Sequence, residues 1–338
     1  MQSLCERNGK SFPSRSDPVE LILSPHLYGD LPCRGRDKLL EKFWVTCDDL
    51  SRTFGQTYAT LKSIQPRPCM FTVQSSPGCG KTFILREIGR KTFEAIPGFV
   101  PNEKLVKMKF VPISFNGITS IQTEEKSLKY SDDVALVLFF PRLVHSLFAC
   151  DVDFQFFLKS FHESYGIDYA PSRDNRGPAS ALARPDLMDE LRVLKQKYYK
   201  DNTFVALVDE ISKVDFQLDI SKEHKQLAEK LRSLICSFCD FNTKNLFNFP
   251  IFTTLGMTFI EDAINSDTRS GRLVLSLGRL DMLSDADTEQ LLLYFMKKQN
   301  ITLFNYHSHQ NTAMHRTAEV LQSITRGHPR SIDLFFRK

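Results

Sequence analysis

An apolar run beginning at Phe71 feeds the octet Ser75-Ser76-Pro77-Gly78-Cys79-Gly80-Lys81-Thr82, and an apolar helical pattern resumes at Phe83. Glycine adopts backbone angles, and permits an approach, that a Cβ would block. Gly78 and Gly80 therefore let successive N–H groups turn inward around an anion. A helix opening at Lys81 adds unpaired N–H groups and the positive end of its dipole. Lys81 supplies a mobile positive charge for terminal phosphates, and the Thr82 hydroxyl is a ligand for Mg²⁺. The pattern is that of G-x-x-x-x-G-K-[ST], the Walker A loop, with the small residue Ser75 where the first glycine normally stands. The expected nucleotide-binding residues are Ser75, Ser76, Pro77, Gly78, Cys79, Gly80, Lys81, Thr82 and Phe83.

A second constellation is Phe204-Val-Ala-Leu-Val-Asp209-Glu210, an apolar strand ending in two acids. Such an ending is common by itself. Beside a phosphate loop it acquires a meaning, because bound phosphates need a metal and the metal needs an acid. Asp209 is expected to hold the Mg²⁺ together with Thr82, and Glu210 to polarise the attacking water as the general base of a Walker B strand.

These residues need a scaffold. Five short apolar runs read as strands: Met70–Gln74, Phe110–Phe115, Phe204–Val208, Ile251–Leu255 and Leu273–Leu277. Near-continuous apolar runs suit strands buried on both faces. Helical patterns separate them, at Phe83–Phe93, Asp133–Phe148, Asp186–Tyr199 and Glu223–Phe238. Alternation of this kind predicts an α/β fold with a parallel five-stranded sheet flanked by helices, and the loop Ser75–Thr82 makes a P-loop NTPase core the expectation. The expected organisation is an irregular lead-in over 1–30, an α/β core over 31–283, and a small C-terminal helical lid over 284–338. A helical insertion is expected at about 120–200, with Asp168–Ala183 as its least ordered part.

The order of these parts resembles the AAA+/STAND class of P-loop ATPases, from about Arg34 to the C-terminus. The resemblance implies further roles. Cys33-Arg-Gly-Arg36-Asp-Lys-Leu-Leu looks like the segment that packs on adenine, which would add Arg36 to the nucleotide site; Arg36 reads equally as a surface residue at a helix start. Thr253 or Thr254 would occupy the sensing position on the fourth strand, where asparagine is usual. Arg269 and Arg272 fall where the class often places an arginine finger. Gly327-His-Pro-Arg330 looks like the start of the sensing helix in the lid, with Arg330 reaching the terminal phosphate. Lys81, Glu210 and Arg330 would then act on the transferred phosphoryl group. Within the class, the chain resembles the NTPase domains of Crinkler effectors and of trypanosomatid retrotransposon hot-spot proteins.

The implied cofactors are ATP and Mg²⁺; no guanine-reading Asn-Lys-x-Asp segment occurs, which favours ATP. The implied activity is ATP hydrolysis, with homo-oligomers supplying a neighbour's arginine. Two alternatives stay open. One is a nucleotide-dependent switch with little turnover, using the helical insertion as its protein-partner surface. The other is a helper ATPase in nucleic-acid transactions.

Composition bounds the rest. The chain has 338 residues and a formal net charge of +4, with Lys and Arg spread along it, so a dedicated nucleic-acid binder is not indicated and nucleic-acid contact is left open. Eight cysteines occur without a disulfide-like framework, and Met1–Arg15 carries no apolar run, so an intracellular protein of cytoplasm or nucleus is expected, with no membrane contact. Cys236-Ser-Phe-Cys239 has metal-ligand spacing but no second pair, and His307, His309 and His315 have no acid beside them in sequence; both are read as structural or surface residues. Cys79, inside the phosphate loop, is expected to block nucleotide binding when alkylated by a bulky reagent.

Overall fold

A computed structural model describes residues 10–23, 35–60, 69–122, 125, 138–165, 184–200, 202–211, 213, 249–254, 274–298 and 310–332. Five strands form one all-parallel sheet: β1 (Met70–Gln74), β2 (Met108–Ser114), β3 (Thr203–Asp209), β4 (Phe249–Thr254) and β5 (Val274–Arg279), in the order β2-β3-β4-β1-β5. β3 and β4 are buried at every position, as expected for strands covered on both faces. β1 has the expected span, and each of the other four strands overlaps the one expected, with ends shifted by one or two residues.

The helices are α1 (Pro18–Leu23), α2 (Asp37–Thr60), α3 (Lys81–Gly89), α4 (Glu103–Val106), α5 (Phe140–Phe148), α6 (Phe154–Tyr165), α7 (Arg184–Tyr198), α8 (Asp285–Lys298) and α9 (Gln310–Thr325). Two apolar layers cover the sheet. In one, Val19 and Ile22 of α1, Phe43 and Trp44 of α2, and Ile84, Leu85 and Ile88 of α3 pack on Phe71, Val73, Val205 and Ile251. In the other, α5 and α6 pack Phe140, Leu143, Phe157 and Phe161 against Val111, Ile113, Phe204 and Val208.

One expectation is altered. The lead-in is not wholly irregular: α1 buries Val19, Ile22 and Leu23. The described parts of 120–200 contribute to the core. Every residue of α5 is buried, and the helix forms a core layer of the sheet. With every residue enclosed, Arg142, His145 and Ser146 included, α5 has no free face for a partner.

The C-terminal helices form a small apolar unit through Leu283, Leu291, Leu321 and Ile332. α8 opens on a capping box: the Ser284 hydroxyl accepts from Asp287 N–H at 3.2 Å, and the Asp287 carboxylate accepts from Ser284 N–H at 3.2 Å. Cys47, Cys69, Cys79 and Cys150 are free, buried thiols. Among the described residues no helix is long and apolar enough to cross a membrane. The expected helix at 223–238, with Cys236 and Cys239, lies outside the described residues, as do His307 and His309. His315 is exposed on α9, 3.4 Å from Glu319, in keeping with a surface histidine.

Candidate functional site

β1 ends at Gln74, and residues 75–80 turn the chain directly into α3. Gly78 and Gly80 take φ of 77° and 93°, left-handed conformations that an L side chain resists. Ser75 has no such requirement, which explains why serine is accepted there. Its N–H donates to Thr254 O at 3.2 Å and its hydroxyl to Leu280 O at 2.9 Å, tying the loop to the ends of β4 and β5. The Lys81 ammonium lies against the same loop, donating to Ser75 O at 3.0 Å and Ser76 O at 2.9 Å. Burial pushes Lys81 below the usual lysine range, against the pull of Glu210 and Asp209.

The acids arrive from β3, whose carboxyl end lies at the same edge of the sheet. The Thr82 hydroxyl donates to Asp209 Oδ2 at 2.9 Å, and the Thr253 hydroxyl to Asp209 Oδ1 at 3.0 Å. The Ser114 hydroxyl lies 3.4 Å from Asp209 Oδ2. Burial raises the Asp209 carboxyl to about 6, and the Glu210 charge pushes the same way; Thr82, Thr253 and Lys81 pull it back. A buried carboxylate flanked by a threonine hydroxyl is a hard-oxygen site short of positive charge, which suits Mg²⁺.

Glu210 adopts φ of 52°, uncommon for a side-chain-bearing residue. Its N–H donates to Thr253 Oγ1 at 2.9 Å, and its carboxylate accepts Lys213 at 3.1 Å. Lys213 also donates to Asn116 Oδ1 at 2.7 Å. Of the two threonines considered for β4, Thr253 therefore reaches the acids by its side chain, whereas the carbonyl of Thr254 holds the phosphate loop.

Arg36 is buried, not a surface residue. It donates to Cys79 O at 3.1 Å and Asp281 O at 2.8 Å, bracing the 75–80 loop against the chain that enters α8. Phe83 lies on the first turn of α3, with the Arg86 guanidinium 4.9 Å from its ring centroid. The Cys79 side chain is 1% exposed and packs in the core, so the thiol is closed to bulky reagents in the folded protein. From the turn after α9, His328 Nε2 donates to Pro77 O at 2.9 Å in the tautomer whose Nδ1 accepts Ser331 N–H. A Cβ at Gly78 would fall 2.4 Å from His328 Cε1 and 3.3 Å from Arg330 Cβ. Arg330 thus stands at the mouth of the loop. Arg269 and Arg272 lie outside the described residues.

The site includes Ser114, Asn116 and Lys213, which were not singled out from the sequence, and His328, which was quoted only within the motif around Arg330. The available signal for two of them was position: Ser114 pairs in register with Asp209, and Asn116 follows at the same sheet edge.

No known family model matches this chain, and no curated protein does. Solved structures similar to it include the Walker-type ATPase PABY2304 of Pyrococcus abyssi, at 13% identity and a TM-score of 0.41 over 86% of this chain and 66% of that one. The Aeropyrum pernix ORC2 protein, in ADPNP–ADP complexes, is 10% identical with a TM-score of 0.41 over 87% of this chain and 61% of that one. C. elegans PCH-2 is 13% identical with a TM-score of 0.40, over 91% and 72%. This chain spans less than two thirds of the length of the first two. With TM-scores under 0.5, these likenesses add nothing to the site's own geometry.

Proposed function

We propose that this chain binds ATP with Mg²⁺ at the loop Ser75–Thr82 and hydrolyses it, as an ATPase of the AAA+/STAND type. The observation that carries the reading is the 2.9 Å contact between the Thr82 hydroxyl and Asp209, which joins the phosphate loop to the acidic strand. Lys81 exchanges its two loop carbonyls for phosphate oxygens, and the inward N–H groups of the loop hold the remaining charge. Thr82 and Asp209 hold the metal, which when bound neutralises charge on the phosphates. Glu210 accepts the proton of the attacking water. Arg330, at the mouth of the loop, stabilises charge on the transferred group, and an arginine from a second copy would make turnover depend on assembly.

A second reading, a nucleotide-dependent switch with slow turnover, draws on a specific contact. Glu210 is already engaged by Lys213. His328 bridges lid and loop, so lid position and nucleotide state would be coupled.

The deciding experiment is Mg²⁺-dependent ATP binding by calorimetry for wild type, Lys81→Ala and Glu210→Gln, with hydrolysis followed across protein concentration. Loss of an ammonium–phosphate contact should weaken binding by about 10- to 150-fold in Lys81→Ala. Glu210→Gln should bind normally and turn over about 10²- to 10⁴-fold more slowly. Tight binding with negligible wild-type hydrolysis at every concentration selects the switch. Absence of wild-type binding ends both readings.

A further inference from the structure

On the layer behind β2 and β3 lies a charged pair that takes no part in the site described above. Arg142 of α5 and Glu125 are fully buried, joined through both guanidinium branches at 2.7 and 2.8 Å. Every guanidinium N–H is used: Nε donates to Thr119 O at 2.8 Å, and the branches also reach Leu138 O at 2.8 Å and Ser120 O at 3.0 Å. The Phe115 and Phe154 rings lie 5.3 and 5.0 Å from its centre. An isolated ion pair is an inefficient way to stabilise a core, because desolvation offsets the attraction. This one does something an apolar pair cannot: it fixes three backbone carbonyls, two of them in the loop that follows β2.

That loop leads to both acids. The Thr119 hydroxyl donates to Ser114 O at 2.7 Å. The Ser114 hydroxyl donates to Asn116 O at 2.8 Å and lies 3.4 Å from Asp209. Asn116 Oδ1 accepts Lys213 at 2.7 Å, and Lys213 holds Glu210 at 3.1 Å. The phosphate cradle at 75–82 meets this chain of contacts at one point, where the Thr82 hydroxyl donates to Asp209 Oδ2 at 2.9 Å.

We propose that Arg142, clamped on Glu125, is a positioning residue that holds the loop after β2 in the arrangement presenting Ser114 and Asn116 to the two acids. The proposal rests on the hydrolytic reading of those acids. It weights two functions of one site unequally: Arg142 governs turnover far more than nucleotide affinity.

The test uses the full chain with Arg142→Lys, which keeps a charge for Glu125 but loses the planar fork. Thr119→Val interrupts the path one step closer to the site without touching the ion pair. Hydrolysis, ATP affinity and amide hydrogen exchange are measured for both. Hydrolysis should slow by about 2- to 30-fold, the span of remote positional couplings, with affinity within about twofold of wild type. Amides of Asn116, Glu210 and Lys213 should exchange faster in both variants. The proposal is overturned if exchange rises only around 119–142 while hydrolysis and the amides at 210 and 213 stay as in wild type. It is equally overturned if affinity falls in step with turnover. Should wild type itself fail to hydrolyse, the hydrolytic reading falls alone, and the exchange at 116, 210 and 213 still decides whether Arg142 positions the acids. Should Arg142→Lys not fold, Thr119→Val carries the same three readouts.

Discussion

The carboxyl ends of β1 and β3 carry the two halves of the candidate site, and they are built by different means. At β1 the functional groups are consecutive. Two left-handed glycines turn the backbone, and Lys81 bonds to carbonyls five and six residues away. At β3 the groups are gathered from afar: Asp209 is held by Thr82, Thr253 and Ser114, which come from three different segments of the chain. A site made of backbone geometry tolerates changes around it and fails when its own residues change. A site made of converging side chains fails when any distant contributor is lost.

The harshest way to break that contrast is Thr253→Val, which keeps the shape of the side chain and removes its hydroxyl. Asp209 Oδ1 loses a donor and Glu210 N–H loses its acceptor. Each buried polar group left unmatched costs about 1–3 kcal/mol, so stability should drop by about 2–4 kcal/mol in urea unfolding. Turnover should collapse while nucleotide affinity holds, and Thr253→Ser should be close to neutral. A valine variant as active as wild type would show that the β3 end does not depend on convergence.

At the β1 end the matching change is Gly78→Ala. A left-handed alanine costs about 1–2 kcal/mol, and its methyl would meet His328 Cε1 at 2.4 Å. ATP affinity should fall, and adding His328→Ala should recover the steric part only. Full recovery in the double variant would place the whole requirement for glycine in the lid contact and none in the backbone.

The same contrast explains what could be read in advance. The loop 75–82 was legible because its chemistry is contiguous, and Asp209–Glu210 because an apolar strand ends in it. The strands themselves were legible from their unbroken apolar runs. Ser114, Asn116 and Lys213 were not, since nothing local marks a serine, an asparagine or a lysine as the neighbour of an acid far away in sequence. The burial of α5 was not legible for a different reason. Arg142, His145 and Ser146 are spaced three and four apart along it, a pattern that reads as a solvent-facing polar stripe, yet all three are buried.

The two ends should also differ in acid. The β3 end leans on α5 and α6, where burial holds His145 and His162 down at about 4. The His145 Nε2–H donates to Val152 O at 2.8 Å, so the folded state uses the neutral ring. An unfolded chain takes up a proton near 6.5, and folding expels it. Stability is therefore complete above that value and is lost as pH falls from about 6.5 toward 4. The loss from His145 alone is about 2 kcal/mol at pH 5. Urea midpoints at pH 7 and pH 5 measure it, with exchange expected to rise first in the α5–α6 layer. A midpoint unchanged at pH 5 would remove this distinction between the layers.

The smallest expected effect tests the one departure from the phosphate-loop pattern. Ser75 replaces a glycine, yet its φ is not left-handed, and its hydroxyl closes a buried contact with Leu280 O at 2.9 Å. Alanine removes that contact without freeing the backbone, whereas glycine removes it and adds chain entropy to the unfolded state. Ser75→Ala should therefore cost about 1 kcal/mol, and Ser75→Gly roughly 0.5–1 kcal/mol more. Both should keep ATP affinity near wild type, because the N–H of residue 75 still reaches Thr254 O. If restoring the glycine instead tightens binding, the loop is limited by backbone freedom at its first position. The β1 end would then be less self-contained than its consecutive residues suggest.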